Sequence, residues 1–172
     1  MHRRLFSLLT ITVAFCAVPA FAATPPPGGA NQVNAVEGNL GDTLFNGEVR
    51  LRSGALRAAS SDELSQILPA SDKKVIVYTA TMSNGTHENF TGLFDYAIVD
   101  PDGVSISAEG RYVEPNPPPN VPPGAAWQQE VAFLVPKDFV PAKIVITTTV
   151  KSNSRDTAKA FRINIDKSQL PQ

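Results

Sequence analysis

Residues 93–136 read LFDYAIVDPDGVSISAEGRYVEPNPPPNVPPGAAWQQEVAFLVP, and this stretch decides the fold. It contains the tetrapeptide Asp-Pro-Asp-Gly at 100–103, which favours a tight turn because proline presets φ at the second position and glycine accepts a positive φ. Every second residue is apolar on both sides of this turn, as is typical of strands with one buried face. Phe94, Tyr96 and Ile98 share the inward side of the strand before the turn. The pattern predicts an antiparallel β-hairpin.

A proline-rich run separates this hairpin from a further strand. Residues 114–124 read EPNPPPNVPPG, a composition that favours the extended polyproline II conformation. We interpret the run as a stiff crossing from one sheet to the other, whose prolines keep it from pairing as an exposed edge strand. The alternative interpretation is a docking strip for an aromatic groove on a partner.

The strand after this run places Trp127, Val131, Phe133 and Val135 on one side. Their strict alternation with other residues predicts a half-buried strand. It also favours a core position for the Trp127 ring over a surface anchor for sugar. Gln129 interrupts the apolar side, and we expect it near the rim of the sheet.

Other segments supply more strands and one helix. Residues 74–83 include the string VIVYTATM, which is apolar on both sides and predicts a central strand. Residues 44–56 alternate as far as Gly54, where the phase changes, which indicates a β-bulge or a first strand that switches sheets. Ser60 and Glu63 have the spacing of a helix capping box, and we place the resulting short helix over an open end of the sandwich.

Two last alternating segments, 142–151 and 160–165, bring the count to about seven strands with turn signals at short intervals. This pattern predicts an all-β fold, an antiparallel immunoglobulin-like β-sandwich with one short helix. A small closed barrel has the same periodicity and is the alternative.

The N-terminal region has the features of a secretory signal peptide. Two arginines precede a short apolar run that ends in the small-residue pattern Ala-Phe-Ala. We expect cleavage after Ala22 or after Ala23, which predicts a secreted or periplasmic protein. The predicted organisation is a signal peptide at 1–22, a flexible leader at 23–43, the sandwich at 44–166 and a tail at 167–172.

Cys16 raises the alternative of a lipid anchor. A lipid-modified cysteine follows a small residue, whereas Phe15 precedes Cys16 and both lie inside the apolar run. We therefore expect no stable membrane anchor after signal cleavage, and no disulfide, because this is the only cysteine. Without Arg3 and Arg4, thirteen basic residues face sixteen acidic ones in a chain with no block of like charge. This balance does not favour nucleic-acid binding.

Three strings, KKVIVYTATMSN, FDYAIVDPDGVSI and VPPGAAWQQEVAFLVPKDF, resemble a family of small exported bacterial immunoglobulin-like domains. The matching features are Asn84 after a strand, Asp100 with Gly103 in a turn, and Pro123-Gly124 before a strand that ends in Val135-Pro136. The resemblance covers residues 44–165. It implies a secreted or envelope-associated sandwich, in a family of unknown function that includes lipoproteins, and it implies no catalytic residue.

Metal and cofactor chemistry has few candidate residues. His87 is the only histidine outside the predicted signal peptide, whereas a zinc or copper site needs several histidine or cysteine ligands. Asp100 and Asp102 match only the opening of a calcium loop, and the hairpin turn already accounts for both. We expect no metal and no cofactor.

Catalytic motifs are equally sparse. The sequence has no G-x-S-x-G nucleophile elbow, and Ser71 with Lys74 matches S-x-x-K in a turn without a partner motif. Glu109, Glu114 and Glu130 could supply the paired carboxylates of a glycosidase, although their spacing does not favour it. We expect no catalytic residue and no enzymatic activity.

The leading hypothesis is a non-catalytic exported β-sandwich domain that acts as a protein-binding or structural module in the cell envelope or outside the cell. An unknown envelope or extracellular protein would be recognised through loops at one end or through an exposed strand edge. The alternative is a carbohydrate-binding module, based on Trp127, Tyr96 and Tyr112.

Overall fold

Ten strands and a short α-helix make up the part of the chain that the computed structural model describes, residues 35–109, 113–114, 120–150 and 159–171. In chain order these are β1 Val36–Asn39, β2 Thr43–Phe45, β3 Val49–Ala58, α1 Ser61–Ile67, β4 Lys73–Asn84, β5 Gly92–Val99, β6 Ser105–Ser107, β7 Val113–Glu114, β8 Ala126–Pro136, β9 Lys143–Val150 and β10 Phe161–Asn164. A single 3-10 turn, Lys167–Gln169, follows the last strand.

The strands form two five-stranded sheets. Sheet A has the order β1-β10-β9-β5-β6, and sheet B has the order β2-β3-β4-β8-β7. Strands β3-β4-β8-β7 correspond to the A-B-E-D order of an immunoglobulin domain, and β5-β9-β10 correspond to C-F-G. Among the described strands, only β1 and β10 pair in parallel. The predicted immunoglobulin-like sandwich is confirmed, and the barrel alternative is wrong, because none of the described strands pairs with strands of both sheets.

The predicted hairpin is confirmed in detail. Strands β5 and β6 pair antiparallel on either side of residues 100–103. Asp100 stabilises the turn, because its Oδ1 accepts a hydrogen bond from the Val104 amide at 2.8 Å. Gly103 has a φ of 89°, a conformation that disfavours side chains with a Cβ.

The proline-rich run does not cross between the sheets. The chain leaves sheet A earlier, where the Ala108 amide donates to the Tyr96 carbonyl and the Glu109 amide donates to the Ala132 carbonyl of sheet B. Residues 114–124 instead join β7 and β8, which are antiparallel neighbours in sheet B. The prediction was wrong because β7, a strand of two residues, is too short to leave a periodic signal.

The core lies between the inward faces of the two sheets, and it includes a polar layer. Gln129 was expected near the rim, but it is 1% exposed and pairs with Ala80 in the middle of β8 and β4. Its Oε1 accepts a hydrogen bond of 2.6 Å from the Tyr96 hydroxyl, which reaches across from sheet A. A buried amide is tolerated when it is hydrogen-bonded. The prediction was wrong because the partner, Tyr96, is distant in sequence.

Helix α1 lies on the outer face of sheet B. Its capping box is formed as predicted, with reciprocal hydrogen bonds between Ser60 and Glu63. The helix was expected over an open end, yet Ile67 packs against Val75, Val77 and Ala132, which point away from the inter-sheet core. The helix covers this face because β4 is apolar on both sides.

Two boundary details follow from the sheets. The β-bulge expected at Gly54 is present, since the register between β3 and β4 shifts between Ser53 and Leu56. Strand β1 lies inside the segment 23–43 that was interpreted as a leader, and its pairing with β10 extends the sandwich back to Val36. Several predictions lie outside the described residues: the signal peptide, its cleavage at Ala22 or Ala23, Cys16 and Tyr112.

Candidate functional site

Three loops, residues 46–48, 85–91 and 120–125, meet at the end of the sandwich where β4 ends and β10 begins. We call these loops, together with the adjacent strand residues Phe45, Arg50, Leu93 and Trp127, the loop end. The Gly85 amide donates to the Glu48 carbonyl at 2.8 Å. Phe90 and Val121 exchange two backbone hydrogen bonds of 2.8 and 3.0 Å. These contacts connect two loops of sheet B with the 85–91 loop, which joins sheet B to sheet A.

Asn84, the last residue of β4, holds two of the three loops. Its Nδ2 donates to the Glu88 carbonyl at 2.7 Å and to the Val121 carbonyl at 2.8 Å. Its Oδ1 accepts from the Thr86 amide at 2.9 Å and from the Thr86 hydroxyl at 2.7 Å. The side chain is buried, and the four hydrogen bonds satisfy both its amide nitrogen and its amide oxygen with protein partners. The 85–91 and 120–125 loops are therefore fixed in shape.

Asn46 has the same function in the turn between β2 and β3. Its Oδ1 accepts from the amides of Glu48 at 3.0 Å and Val49 at 2.8 Å. Its Nδ2 donates to the Lys159 carbonyl at 3.0 Å, which links the turn to the approach to β10. This asparagine was not singled out by the sequence analysis, although Asn before Gly is a turn signal.

An aromatic cluster fills the core directly beneath these loops. The Phe90 ring stacks on Phe94 and on Trp127 with centroid distances of 5.7 and 5.9 Å, and Phe94 is 6.0 Å from Trp127. Trp127 is 7% exposed, which confirms its predicted core position. Aromatic pairs of this geometry stabilise a fold beyond their buried area. The loops thus rest on a rigid base.

Two buried polar atoms at the loop end have no hydrogen-bond partner among the described residues: Trp127 Nε1 and Glu48 Oε2. Burial raises the pKa of the Glu48 carboxyl, because desolvation disfavours the charged form. A polar atom of this kind gains free energy when a donor or an acceptor reaches it. The loop end therefore retains unused hydrogen-bonding capacity.

Large apolar side chains are also exposed at the loop end. Leu93, at the start of β5, is 62% exposed, and Phe45, at the end of β2, is 45% exposed. The Arg50 guanidinium lies 5.5 Å from the centroid of the Phe45 ring, a cation–π contact. Exposed aromatic, aliphatic and arginine side chains are typical of protein interfaces.

The structure does not bring the candidate metal ligands together. His87 is an exposed residue of the 85–91 loop, and Asp100 is used in the hairpin turn. Within the described ranges, no group of three or more His, Cys, Asp or Glu side chains has the arrangement of a metal site.

Two of the candidate catalytic carboxylates, Glu114 and Glu130, are cross-strand neighbours, and Glu130 also has a basic partner. Glu130 lies 3.5 Å from the Arg57 guanidinium, which also holds Glu63 at 2.7 Å. The Arg57 hydrogen bonds lower the pKa of Glu63 to about 2, so this carboxylate remains charged in an ion pair that fixes α1 to sheet B. The β7–β8 register places Glu114 opposite Glu130, and the side chain of Glu114 is outside the described part. Ser71 is exposed in a turn, and among the described residues no basic side chain forms a hydrogen bond with it.

Comparisons with known proteins identify the fold. No protein-family model matches the sequence, and no curated protein matches it. The structure is similar to the crystal structure of MPT63, a secreted protein from Mycobacterium tuberculosis, with a TM-score of 0.50, 15% sequence identity, and coverage of 77% of this chain and 98% of that one. An uncharacterized β-sandwich protein from Clostridium difficile 630 aligns with a TM-score of 0.46, 11% identity, and coverage of 80% and 98%.

The similarity to MPT63 concerns the fold alone and carries no activity over to this chain. The resemblance to an exported bacterial immunoglobulin-like family stays a prediction. None of the helices in the described residues is long and apolar enough to cross a membrane.

Proposed function

We propose that this protein is a non-catalytic, exported β-sandwich that binds another protein through its loop end. The observation that carries the proposal is the pair of buried asparagines. Asn84 and Asn46 fix the loops with hydrogen bonds to neighbouring backbone groups, in the 2.7–3.0 Å range. Loops that are ordered before binding lose less conformational entropy on association, so a fixed loop surface favours recognition.

The chemistry of the loop end favours a protein ligand over a sugar. The carbohydrate alternative relies on exposed aromatic faces, but Trp127 is stacked on Phe90 inside the core and Tyr96 is hydrogen-bonded to Gln129. Tyr112 is not in the described part. What the loop end does expose is Leu93, Phe45 and the Phe45–Arg50 pair, which are side chains that protein interfaces favour.

Two further observations support the non-catalytic and exported parts of the proposal. Most of the described groups with shifted pKa values stabilise the fold: Glu63 is in an ion pair, and Tyr78 and Tyr96 are in the core. Perturbed groups at a catalytic centre would instead converge in a cleft. The positively charged start and apolar run within residues 1–22 support export by a signal peptide.

The test is crosslinking of the C-terminally tagged protein in its native cell envelope, followed by identification of what copurifies. We expect one stoichiometric protein, and we expect Leu93→Asp to abolish its recovery. Val104→Asp is the matched control, because Val104 is a similarly exposed aliphatic residue, 56% against 62%, at the opposite end of β5. Recovery of the tagged protein alone, or with cell-wall glycan, would contradict the proposal. Equal losses with the two variants would also contradict it.

A further inference from the structure

The end opposite the loop end contains a cavity, and we call this the cavity end: residues 100–104, 137–142 and 165–171. The cavity has a volume of about 300 Å³, which lies at the lower limit of small-molecule pockets, roughly 300–1,000 Å³. Its walls include Ala58 of β3, Lys74 and Ile76 of β4, Phe139, Leu170 and Pro171. All but one of the lining residues are apolar.

The cavity exists because β3 stops before β4 does. Ala58, the last residue of β3, is paired with Ile76, so the start of β4 extends beyond its neighbour. The chain then enters α1, which lies on the outer face of sheet B and leaves the inward face at this corner uncovered. Among the described residues, the 137–142 and 165–171 segments supply the rest of the cavity lining.

The C-terminal wall of the cavity is a fixed structure. The Asp166 carboxylate accepts from the Ser168 amide at 2.8 Å, and the Gln169 side chain accepts from the Asp166 amide at 3.1 Å. The Ile165 amide donates to the Ala142 carbonyl at 2.9 Å, which ties this segment to the 137–142 segment. Leu170 and Pro171 follow directly, so the wall has a defined position.

Lys74 is the one charged residue among those that line the cavity. It pairs with the fully buried Val135 and has the same parity in β4 as Ile76 and Tyr78, so it occupies an inward position. The ion pairs of the described residues involve Arg57 and Arg162, not Lys74. An ammonium group beside apolar walls and without a protein anion favours an anionic partner from outside.

We propose that this cavity binds a small amphipathic anion, a molecule with an apolar chain and one carboxylate or similar head group. The chain occupies the space between Ile76, Phe139 and Leu170, and the head group accepts hydrogen bonds from the Lys74 ammonium. A lysine at an inward strand position breaks the apolar pattern of β4, and such departures are expected at functional sites. This binding site is independent of the loop end and of the function proposed for it.

Isothermal titration of the purified protein with monomeric decanoate tests the proposal. We expect saturable binding of one decanoate per protein. Decyltrimethylammonium has the same alkyl chain with the opposite charge, and it should bind at least about tenfold more weakly. Lys74→Gln should weaken decanoate binding by about tenfold or more, because a charge-assisted hydrogen bond is lost. Lys73→Gln is the matched control, since Lys73 is the adjacent residue of β4 and does not line the cavity.

Two outcomes of this titration would overturn the proposal: no saturable binding of decanoate, or equal effects of Lys74→Gln and Lys73→Gln.

A second experiment uses sedimentation with phosphatidylglycerol vesicles to distinguish binding of a free amphiphile from binding to a membrane surface. We expect no sedimentation, and binding to vesicles without binding of decanoate would contradict a cavity site. Amide chemical shifts should change at Lys74, Ile76 and Leu170 on addition of decanoate, whereas changes confined to the loop end would contradict the assignment.

Discussion

At the loop end, three stacked rings fill the space between the sheets and two buried asparagines fix the loops above them. At the cavity end, a lysine occupies an inward position and a cavity of about 300 Å³ remains. Both ends close the same core, but the first does so with side chains and the second leaves space. This difference underlies the two proposals, a fixed surface that binds a protein at one end and a partly open cavity that binds a small molecule at the other.

The largest effect is expected for Trp127→Ala at the loop end. Removal of the ring should lower the free energy of unfolding by about 3–5 kcal/mol, because a large cavity forms among Phe90, Phe94 and Tyr96. Urea denaturation measures the change. Gln128→Ala is the control, since Gln128 is the exposed neighbour in β8 and should change stability by less than about 0.5 kcal/mol. A loss below about 1 kcal/mol for Trp127→Ala would show that the loop end is not closed by its aromatic cluster.

The polar layer midway between the two ends predicts a loss of stability at high pH. Burial raises the pKa of Tyr78 from 10.0 to about 12, and burial raises the pKa of Tyr96 as well. Because the unfolded chain ionises first, the stability contributed by neutral Tyr78 is complete below pH 10 and is lost as the pH rises towards 12. The loss is about 3 kcal/mol over this range, from two pKa units.

Denaturation curves between pH 9 and about 12 measure this alkaline loss. Tyr78→Phe should reduce the dependence of stability on pH, because one of the two buried tyrosine hydroxyls is gone and only that of Tyr96 remains. Stability that stays constant through this range in the unmodified protein would show that the tyrosines between the two ends are not desolvated.

Asn84→Ala tests whether the loops of the loop end are fixed by one side chain. The variant leaves the Glu88 and Val121 carbonyls without their Nδ2 donor, which should cost about 2–3 kcal/mol. Hydrogen exchange at the Thr86 amide should accelerate, because that amide loses its acceptor. Asn89→Ala, a change at an exposed asparagine of the same loop, should have neither effect. Unaltered exchange at Thr86 in Asn84→Ala would contradict a loop order imposed by Asn84.

The smallest effect is expected at the cavity end for Lys74→Met. Methionine keeps an apolar stem and removes an ammonium group that is half-buried, so the free energy of unfolding should stay the same or rise by up to about 1 kcal/mol. Thermal denaturation measures this change. A loss above about 2 kcal/mol would show that Lys74 holds the cavity end together, which would remove the contrast between the two ends.

Local signals predicted the features that depend on neighbours in sequence. The 100–103 turn and the Ser60 capping box rest on contacts within a few residues, and both were predicted correctly. The bulge at Gly54 involves the distant strand β4, but the phase change within β3 was enough to predict it. The alternation in β8 likewise placed Trp127 in the core. The sandwich itself follows from the number and spacing of such elements.

Features that depend on distant partners were missed. Gln129 is buried because Tyr96, on the other sheet, donates to it, and no periodicity within β8 shows this bond. The sheet change at Ala108 was missed because β7 has two residues. The place of α1 could have been inferred, since a strand that is apolar on both sides needs cover on its outer face. Lys74 was visible in the sequence as a lysine on the inward side of β4, but its importance depends on where β3 ends.

The most direct test of the proposed protein recognition is site-specific photocrosslinking in the native cell envelope. A photoreactive amino acid replaces His87, in the 85–91 loop of the loop end, or Asp102, in the exposed turn of the cavity end. We predict that the probe at residue 87 yields one discrete crosslinked protein and that the probe at residue 102 yields none. Crosslinks from residue 102 alone, or the same products from both positions, would contradict recognition through the loop end.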